Sequence, residues 1–161
     1  LEHEGEAYVF ESIEEMKDTI NNEDLPVTKD SVLVLKGCGP KGYPGMAEVG
    51  NMPIPAKLVK EGVRDMVRVS DARMSGTAFG TVILHVTPEA QEGGTLAFVK
   101  TGDRIRVSAE KGILELLVEQ DHKQNSRSSQ EKCQRPPDKK KRRAEYARRL
   151  QGEGEEYRSQ A

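Results

Sequence analysis

The chain has 161 residues, of which 35% are hydrophobic and 32% are charged, and its formal net charge is −2. This length suffices for one domain with a hydrophobic core and an additional tail. The balanced charge argues against binding of the whole chain to a polyanion or to an anionic membrane surface. No apolar run approaches the roughly 18 residues that a transmembrane helix needs, and no signal peptide is recognised.

The two cysteines, Cys38 and Cys133, lie too far apart in the sequence to form a Cys-x-x-Cys or a Cys/His metal motif. They indicate a reducing compartment and no metal site made by cysteine alone. The expected location is the cytoplasm, with the mitochondrion as the alternative. Because the sequence begins at Leu1, we also expect it to be a fragment of a longer protein.

Seven short apolar segments predict strands, with only short helices between them. The segment 32–35 is a continuous apolar run, as expected of a strand buried on both faces. Residues 105–107 and 113–118 flank a turn and predict a hairpin. We therefore expect a β-rich α+β domain, a barrel or sandwich with flanking helices. The seven segments are residues 7–10, 32–35, 66–69, 82–86, 96–99, 105–107 and 113–118.

Helix signals lie between these strands. Ser12 and Glu15 form a capping-box pattern that predicts a helix ending before Pro26. A second short helix is predicted to begin after Pro55 and to end at Gly62. The sequence Thr87-Pro88-Glu89-Ala90 predicts a helical turn capped by its threonine.

The composition changes near residue 119, which divides the chain into a domain over 1–119 and a polar, basic tail over 120–161. A tail of this composition buries too little apolar surface to fold alone, so we expect poor order. Its Lys-Lys-Lys-Arg-Arg run makes nucleic-acid binding an alternative that we disfavour.

Two glycine-rich loops, residues 36–51 and 70–80, each follow a predicted strand and form the candidate site. The first contains Gly37-Cys38-Gly39-Pro40-Lys41-Gly42, which matches the G-x-G-x-x-G of dinucleotide-binding turns. That motif requires a helix whose first amides meet the pyrophosphate. Because the prolines of this loop remove amides, the nucleotide interpretation is disfavoured.

Several side chains in these segments allow both a chemical and a structural interpretation. Glu48 is either a ligand of a hard cation or an acid/base group, or else a solvated carboxylate. Ser75 lies in a turn without a neighbouring base, which argues against a hydrolase triad. Arg73 either binds a substrate carboxylate or forms a structural ion pair. We expect His85 to be buried and hydrogen-bonded, and Cys38 to be a small loop residue.

Three long motifs resemble the carboxy-terminal domain of the dihydroxy-acid and sugar-acid dehydratase family. They are GCGPKGYPGMAEVGNMPIP, RVSDARMSGTAFGTVILHVTPEAQEGG and LAFVKTGDRIRV. The resemblance covers about residues 7–118. Ala72 and Met74 are closer to the sugar-acid branch than to the branched-chain amino-acid enzyme, which has Gly and Phe there.

The resemblance implies a swivelling β/β/α domain and dehydration of a 2,3-dihydroxy carboxylate, such as an aldonate, to a 2-keto-3-deoxy acid. It implies Mg²⁺ and an iron–sulfur cluster as cofactors. Glu48 matches the magnesium ligand of the family and Ser75 matches the catalytic base. We also expect Arg73, Gly76 and Thr77 to contact the substrate, together with Ser75.

The chain lacks the amino-terminal domain in which the family carries its cluster cysteines, further magnesium carboxylates and a modified lysine. We therefore expect the isolated chain to be inactive, and we expect the full-length enzyme to be a homo-oligomer. Two alternatives stay open at this point. One is the dihydroxy-acid dehydratase of branched-chain amino-acid biosynthesis, and the other is a non-catalytic binding module derived from this domain.

Overall fold

A computed structural model of the chain describes residues 1–45, 48–76 and 79–117. Within these ranges, one sheet of six strands is present, with the spatial order β4-β3-β2-β1-β5-β6 when the strands are numbered along the chain. The strands are β1 Glu2–Phe10, β2 Val32–Leu35, β3 Arg68–Ser70, β4 Val82–Ile83, β5 Arg104–Ser108 and β6 Ile113–Leu117. The predicted β-rich α+β class is confirmed.

The sheet is parallel on one side and antiparallel on the other. Strands β1 to β4 pair in parallel, with Ala7 opposite Val32 in the first pair. Strand β5 runs antiparallel to both β1 and β6. The predicted hairpin of β5 and β6 is therefore confirmed. Pairing with β5 also extends β1 to Glu2, well before the predicted start at residue 7.

Strand β2 lies at the centre of the core, as its continuous apolar run predicts. All four of its side chains are completely buried. Leu33 and Leu35 pack with α1 (Ile13–Thr19) on one face of the sheet. Val32 and Val34 pack with β5 on the other face. The alternation of strand side chains thus divides the core into two layers.

The first two predicted helix starts are confirmed. The Ser12 hydroxyl caps α1 by accepting a hydrogen bond from the Glu15 amide at 3.1 Å. The second helix, α2 (Ala56–Lys60), follows Pro55 and is closed by Gly62, whose φ is +91°. No helix among the described residues is long and apolar enough to cross a bilayer.

The segment predicted as a strand at 96–99 is instead a 3₁₀ helix, Thr95–Phe98. Leu96 and Val99 are both buried, and their spacing of three residues places them on one side of a 3₁₀ turn. A second 3₁₀ helix spans Ala90–Glu92. Its N-cap position is Glu89, so the predicted cap at Thr87 is wrong. The count of strands is therefore six in the described residues, not seven.

Strand β4 ends at Ile83, three residues before the predicted end at Val86. The physical reason is the backbone of His85, which has a φ of +55°. This turn leaves His85 exposed, so the prediction of a buried histidine is wrong. The predicted tail, residues 120–161, lies outside the described residues, so its predicted disorder stays untested.

Asp71, which directly follows β3, ties three segments of the fold together. Its side chain is 2% exposed. One carboxylate oxygen accepts the Cys38 amide at 2.9 Å, and the other accepts the amides of Gly37 at 3.2 Å and Ala90 at 2.9 Å. The carboxylate therefore holds the start of the first glycine-rich loop and the 3₁₀ helix Ala90–Glu92 against the start of the second loop.

We expect Asp71→Asn to lower the free energy of unfolding by about 2–4 kcal/mol, because its NH2 group, which can only donate, would replace one of the two oxygens that accept backbone N–H groups. Urea denaturation of the chain measures the change. Asp103→Asn is the matched control, since Asp103 accepts one amide, that of Lys100, at an exposed turn. Equal losses in both variants would contradict the anchoring role of Asp71.

Candidate functional site

The two glycine-rich loops leave the sheet at the same edge. They follow β2 and β3, which are adjacent and parallel, with Leu35 opposite Ser70 at their carboxyl ends. Carboxyl ends of neighbouring parallel strands are the usual position of ligand sites in open sheets. The topology therefore brings together two loops that are separated by about twenty residues in the sequence.

Close packing explains two glycines of the first loop, Gly39 and Gly42. A Cβ atom at Gly39 would lie 1.9 Å from a carboxylate oxygen of Glu89. A Cβ atom at Gly42 would lie 2.3 Å from the carbonyl oxygen of Gly37. Glu89 is 6% exposed and accepts the Lys41 amide at 2.7 Å. The loop is folded against its own backbone and against Glu89, so a side chain at either glycine would disrupt it.

The far end of the first loop contacts the second loop directly. The Gly50 amide donates to the Arg73 carbonyl at 2.8 Å. The Arg73 guanidinium forms an ion pair with the carboxylate of Glu48. The two side chains are 39% and 45% exposed, respectively, so this ion pair faces solvent. Of the two interpretations of Arg73, the ion pair is therefore present in the structure.

Glu48 and Ser75 line one cleft of about 470 Å³. Arg64 and Arg68 also line it, and Phe79 lies at its border with 82% of its surface exposed. The cleft combines a carboxylate, a hydroxyl and two guanidinium groups, which suits a polar, anionic ligand.

The other predicted site residues lie around this cleft or outside the described part. Gly76 is exposed and directly follows Ser75. Thr77 lies outside the described residues. Glu48 also lines a second cleft, of about 400 Å³, which includes Ile13 and Lys17 of α1. Glu48 thus borders both clefts.

Glu48 fits a magnesium site only in part. A hard cation such as Mg²⁺ takes about six oxygen ligands in octahedral geometry, often including a carboxylate and several waters. Within residues 1–45, 48–76 and 79–117, no group of three His, Cys, Asp or Glu side chains could hold a metal ion. The described residues therefore offer Glu48 as one ligand, and other ligands would have to come from elsewhere.

Cys38 is a buried loop residue, 4% exposed. Burial, together with the nearby carboxylates of Asp71 and Glu14, raises the pKa of its thiol to about 12. The thiol is therefore protonated at neutral pH, whereas metal ligation and nucleophilic attack require the thiolate.

Four charged residues that organise the site were not singled out from the sequence: Asp65, Arg68, Asp71 and Glu89. The pKa of Glu89 is raised, chiefly by desolvation and further by the neighbouring carboxylates of Asp71 and Glu92. The hydrogen bond from the Lys41 amide lowers this pKa but does not cancel the rise. Desolvation also lowers the pKa of Arg68, although Asp65 opposes this. The available signal was an arginine within the apolar segment 66–69 and an aspartate two residues after that segment.

We expect Cys38 to react with a thiol reagent at pH 8 at least about a thousandfold more slowly than an exposed cysteine, because so little thiolate is present. The measurement is labelling with a chromogenic disulfide in a Cys133→Ser background, with urea-unfolded protein as the control. Since folding favours the protonated thiol, its contribution to stability is present below pH about 8.5 and is lost as the pH rises towards 12. Rapid labelling of the folded chain would contradict this.

Comparison with known proteins agrees with the resemblance. The chain is 71% identical over 121 residues to a Rhizobium meliloti (strain 1021) protein provisionally named dehydratase IlvD1. Over the same length it is 60% identical to the L-arabonate dehydratase of Azospirillum brasilense, and over 119 residues it is 50% identical to the 6-deoxy-6-sulfo-D-gluconate dehydratase of Pseudomonas putida. Each match covers 74–75% of this chain but only 21% of the relative.

The chain thus spans about a fifth of the length of the curated relatives that it matches. A family model described as "Dihydroxy-acid/6-phosphogluconate dehydratase C-terminal" matches residues 1–155. This match includes both loops that form the cleft, and it extends over almost the whole sequence. The chain therefore belongs to the dihydroxy-acid/6-phosphogluconate dehydratase C-terminal family.

Proposed function

We propose that this chain is the carboxy-terminal part of a sugar-acid dehydratase and supplies the catalytic base and one metal ligand to its active site. The observation that carries the proposal is the single cleft lined by both Glu48 and Ser75, at the carboxyl ends of two adjacent parallel strands. The reaction is the loss of water from a 2,3-dihydroxy carboxylate, which produces a 2-keto-3-deoxy acid.

In this proposal Ser75 takes the proton from C2 of the substrate. The C3–O bond breaks, the 3-hydroxyl accepts a proton and leaves as water, and the resulting enol tautomerises to the ketone. A serine hydroxyl is a weak base, so it requires positive charge nearby to favour the alkoxide. Arg64 lines the same cleft and contributes such charge.

Glu48 is proposed as the contribution of this chain to a magnesium site whose other ligands, like those of an iron–sulfur cluster, lie in the remainder of the full-length protein. When bound, Mg²⁺ would supply positive charge to the carboxylate and 2-hydroxyl of the substrate, and the cluster would supply Lewis acidity to the departing 3-hydroxyl. Arg73 would then release its ion pair with Glu48 and bind the carboxylate of the substrate instead. Gly76 and Thr77 would also contact the substrate.

Two of the relatives described above are named for sugar acids, L-arabonate and 6-deoxy-6-sulfo-D-gluconate, which favours this substrate class. The chain spans about a fifth of the length of these relatives, which supports its assignment as one part of a longer enzyme. The predicted homo-oligomer and cytoplasmic location stay predictions. A branched-chain dihydroxy acid is the alternative substrate, and turnover of such an acid compared with L-arabonate by the chimera distinguishes the two.

Activity is best tested in a chimera in which the 121 matched residues of this chain replace the corresponding segment of the Azospirillum enzyme. We expect the chimera to dehydrate L-arabonate, and the isolated chain to show no turnover. Ser75→Ala should reduce kcat by at least about 10³-fold, because proton abstraction loses its base. Formation of the 2-keto acid measures turnover.

Ser31→Ala is the matched control, since Ser31 hydrogen-bonds the Thr28 amide far from the cleft. Metal and iron contents of the chimera should be unchanged by Ser75→Ala. Introducing the alanine at the aligned serine of the Azospirillum enzyme itself keeps the test informative if the chimera does not assemble. Retained turnover in Ser75→Ala, or turnover by the isolated chain, would overturn the assigned roles.

We expect Glu48→Gln in the same chimera to weaken magnesium activation by about 10- to 100-fold, because a neutral amide is a poorer ligand for a hard cation than a carboxylate. The measurement is the Mg²⁺ concentration that gives half-maximal turnover after chelation. Glu4→Gln is the control, because Glu4 also pairs with an arginine, Arg104, but lies on β1 away from the cleft. Identical Mg²⁺ dependence in the two variants would contradict the ligand role.

A further inference from the structure

The guanidinium of Arg68 joins the ends of the two loops that form the cleft. It is 5% exposed and belongs to β3. One terminal nitrogen donates to the carbonyl of Met52 at 2.8 Å, directly after the first loop. The other donates to the carbonyl of Phe79 at 2.8 Å, near the end of the second loop. The planar fork of arginine makes both bonds at once, which an ammonium group could not do with the same geometry.

Asp65 fixes this guanidinium and the residue that follows the second loop. A carboxylate oxygen lies 3.3 Å from a terminal nitrogen of Arg68. The second oxygen accepts the hydroxyl of Thr81 at 2.6 Å and its amide at 3.0 Å. Although desolvation raises the pKa of Asp65, these bonds from Thr81 and the Met66 amide, with Arg68 nearby, lower it overall. Asp65 is therefore held as a carboxylate.

Gly80 shows how closely the second loop approaches this pair. A Cβ atom at Gly80 would lie 2.3 Å from a carboxylate oxygen of Asp65 and 2.4 Å from a terminal nitrogen of Arg68. The φ of Gly80 is +95°, a conformation that other residues adopt only with strain. Asp65, Arg68 and Gly80 thus form one tightly packed contact, which we name the Arg68 clamp.

Ser75 lies midway between two anchors of its loop. It follows Asp71, which holds the start of the loop, by four residues, and precedes Phe79, which the Arg68 clamp holds, by four residues. A buried guanidinium is expensive to desolvate, and a hydrophobic side chain would fill the same volume without that cost. What the arginine adds is a fixed distance between the Met52 and Phe79 carbonyls, and hence between the loops of Glu48 and Ser75.

We infer that Arg68 is a positioning residue, which with Asp65 holds Ser75 opposite Glu48 by fixing the end of the Ser75 loop. This inference rests on the proposed function for its catalytic consequence, whereas the clamp itself is a property of the described residues. It predicts that weakening the clamp slows the chemical step and loosens this one loop, and that it leaves substrate affinity nearly unchanged.

In the dehydratase chimera we expect Arg68→Lys to lower kcat about 100-fold with KM within about threefold, since a shift of about 1 Å in a reacting group has this effect. Asp65→Asn keeps the shape of the side chain and lets Arg68 remain. It should lower kcat about tenfold and serves as the milder variant if Arg68→Lys folds poorly. The control is Arg104→Lys, which changes an arginine–carboxylate pair outside the cleft.

Hydrogen exchange of the isolated chain tests the clamp without any assumption about activity. In Asp65→Asn and Arg68→Lys, the amides of those residues within 73–81 that the structure describes (73–76 and 79–81) should exchange at least about tenfold faster, while those of β1 and β2 should stay as protected as in the unaltered chain. Unchanged exchange of residues 73–81, or an equal loss of protection throughout the sheet, would overturn the inference.

The two sets of measurements separate the possible failures. Loosening of residues 73–81 together with full turnover in Ser75→Ala would leave the clamp standing and overturn the proposed base. Loss of turnover in Ser75→Ala together with full turnover in both clamp variants would support the base and overturn the positioning role of Arg68.

Discussion

The carboxylate of Asp71 is the interaction on which the geometry of the site depends. Three backbone amides from two separate segments converge on it, and it lies in the core where water cannot replace it. A loop rich in glycine has a large conformational entropy to lose, so its fold requires strong and specific anchors. Asp71 supplies the anchor at the start of the loops, and Arg68 supplies the second one at their ends.

These two buried charges have opposite signs and complementary partners. The carboxylate accepts from amides, and the guanidinium donates to carbonyls. The partly exposed groups of the cleft, Glu48 and Ser75, belong to the two loops that these charges hold. Rigid charges in the core thus support accessible groups at the edge of the sheet. A proton transfer at a carbon atom needs such precision, because the base must approach within hydrogen-bonding distance of the atom that it deprotonates.

Sequence patterns alone predicted the elements with strong local signals. The continuous apolar run of β2, the Ser12 cap, the helix after Pro55 and the hairpin at Lys111-Gly112 all depend on residues close together in the chain. The predictions failed where distant contacts decided the conformation. Residues 96–99 are apolar enough for a strand, yet the spacing of Leu96 and Val99 suits a 3₁₀ turn packed on the core.

The sequence by itself determined the class of the domain, the positions of both loops and the choice of Glu48 and Ser75 as candidates. Only the tertiary structure decided that these two residues line one cleft, that Arg73 pairs with Glu48, and that Asp71 and Arg68 hold the loops. The physical reason is that loop conformation depends on hydrogen bonds between residues far apart in sequence. Apolar periodicity reports which face of a strand is buried, but it carries no information about which backbone groups a buried charge will meet.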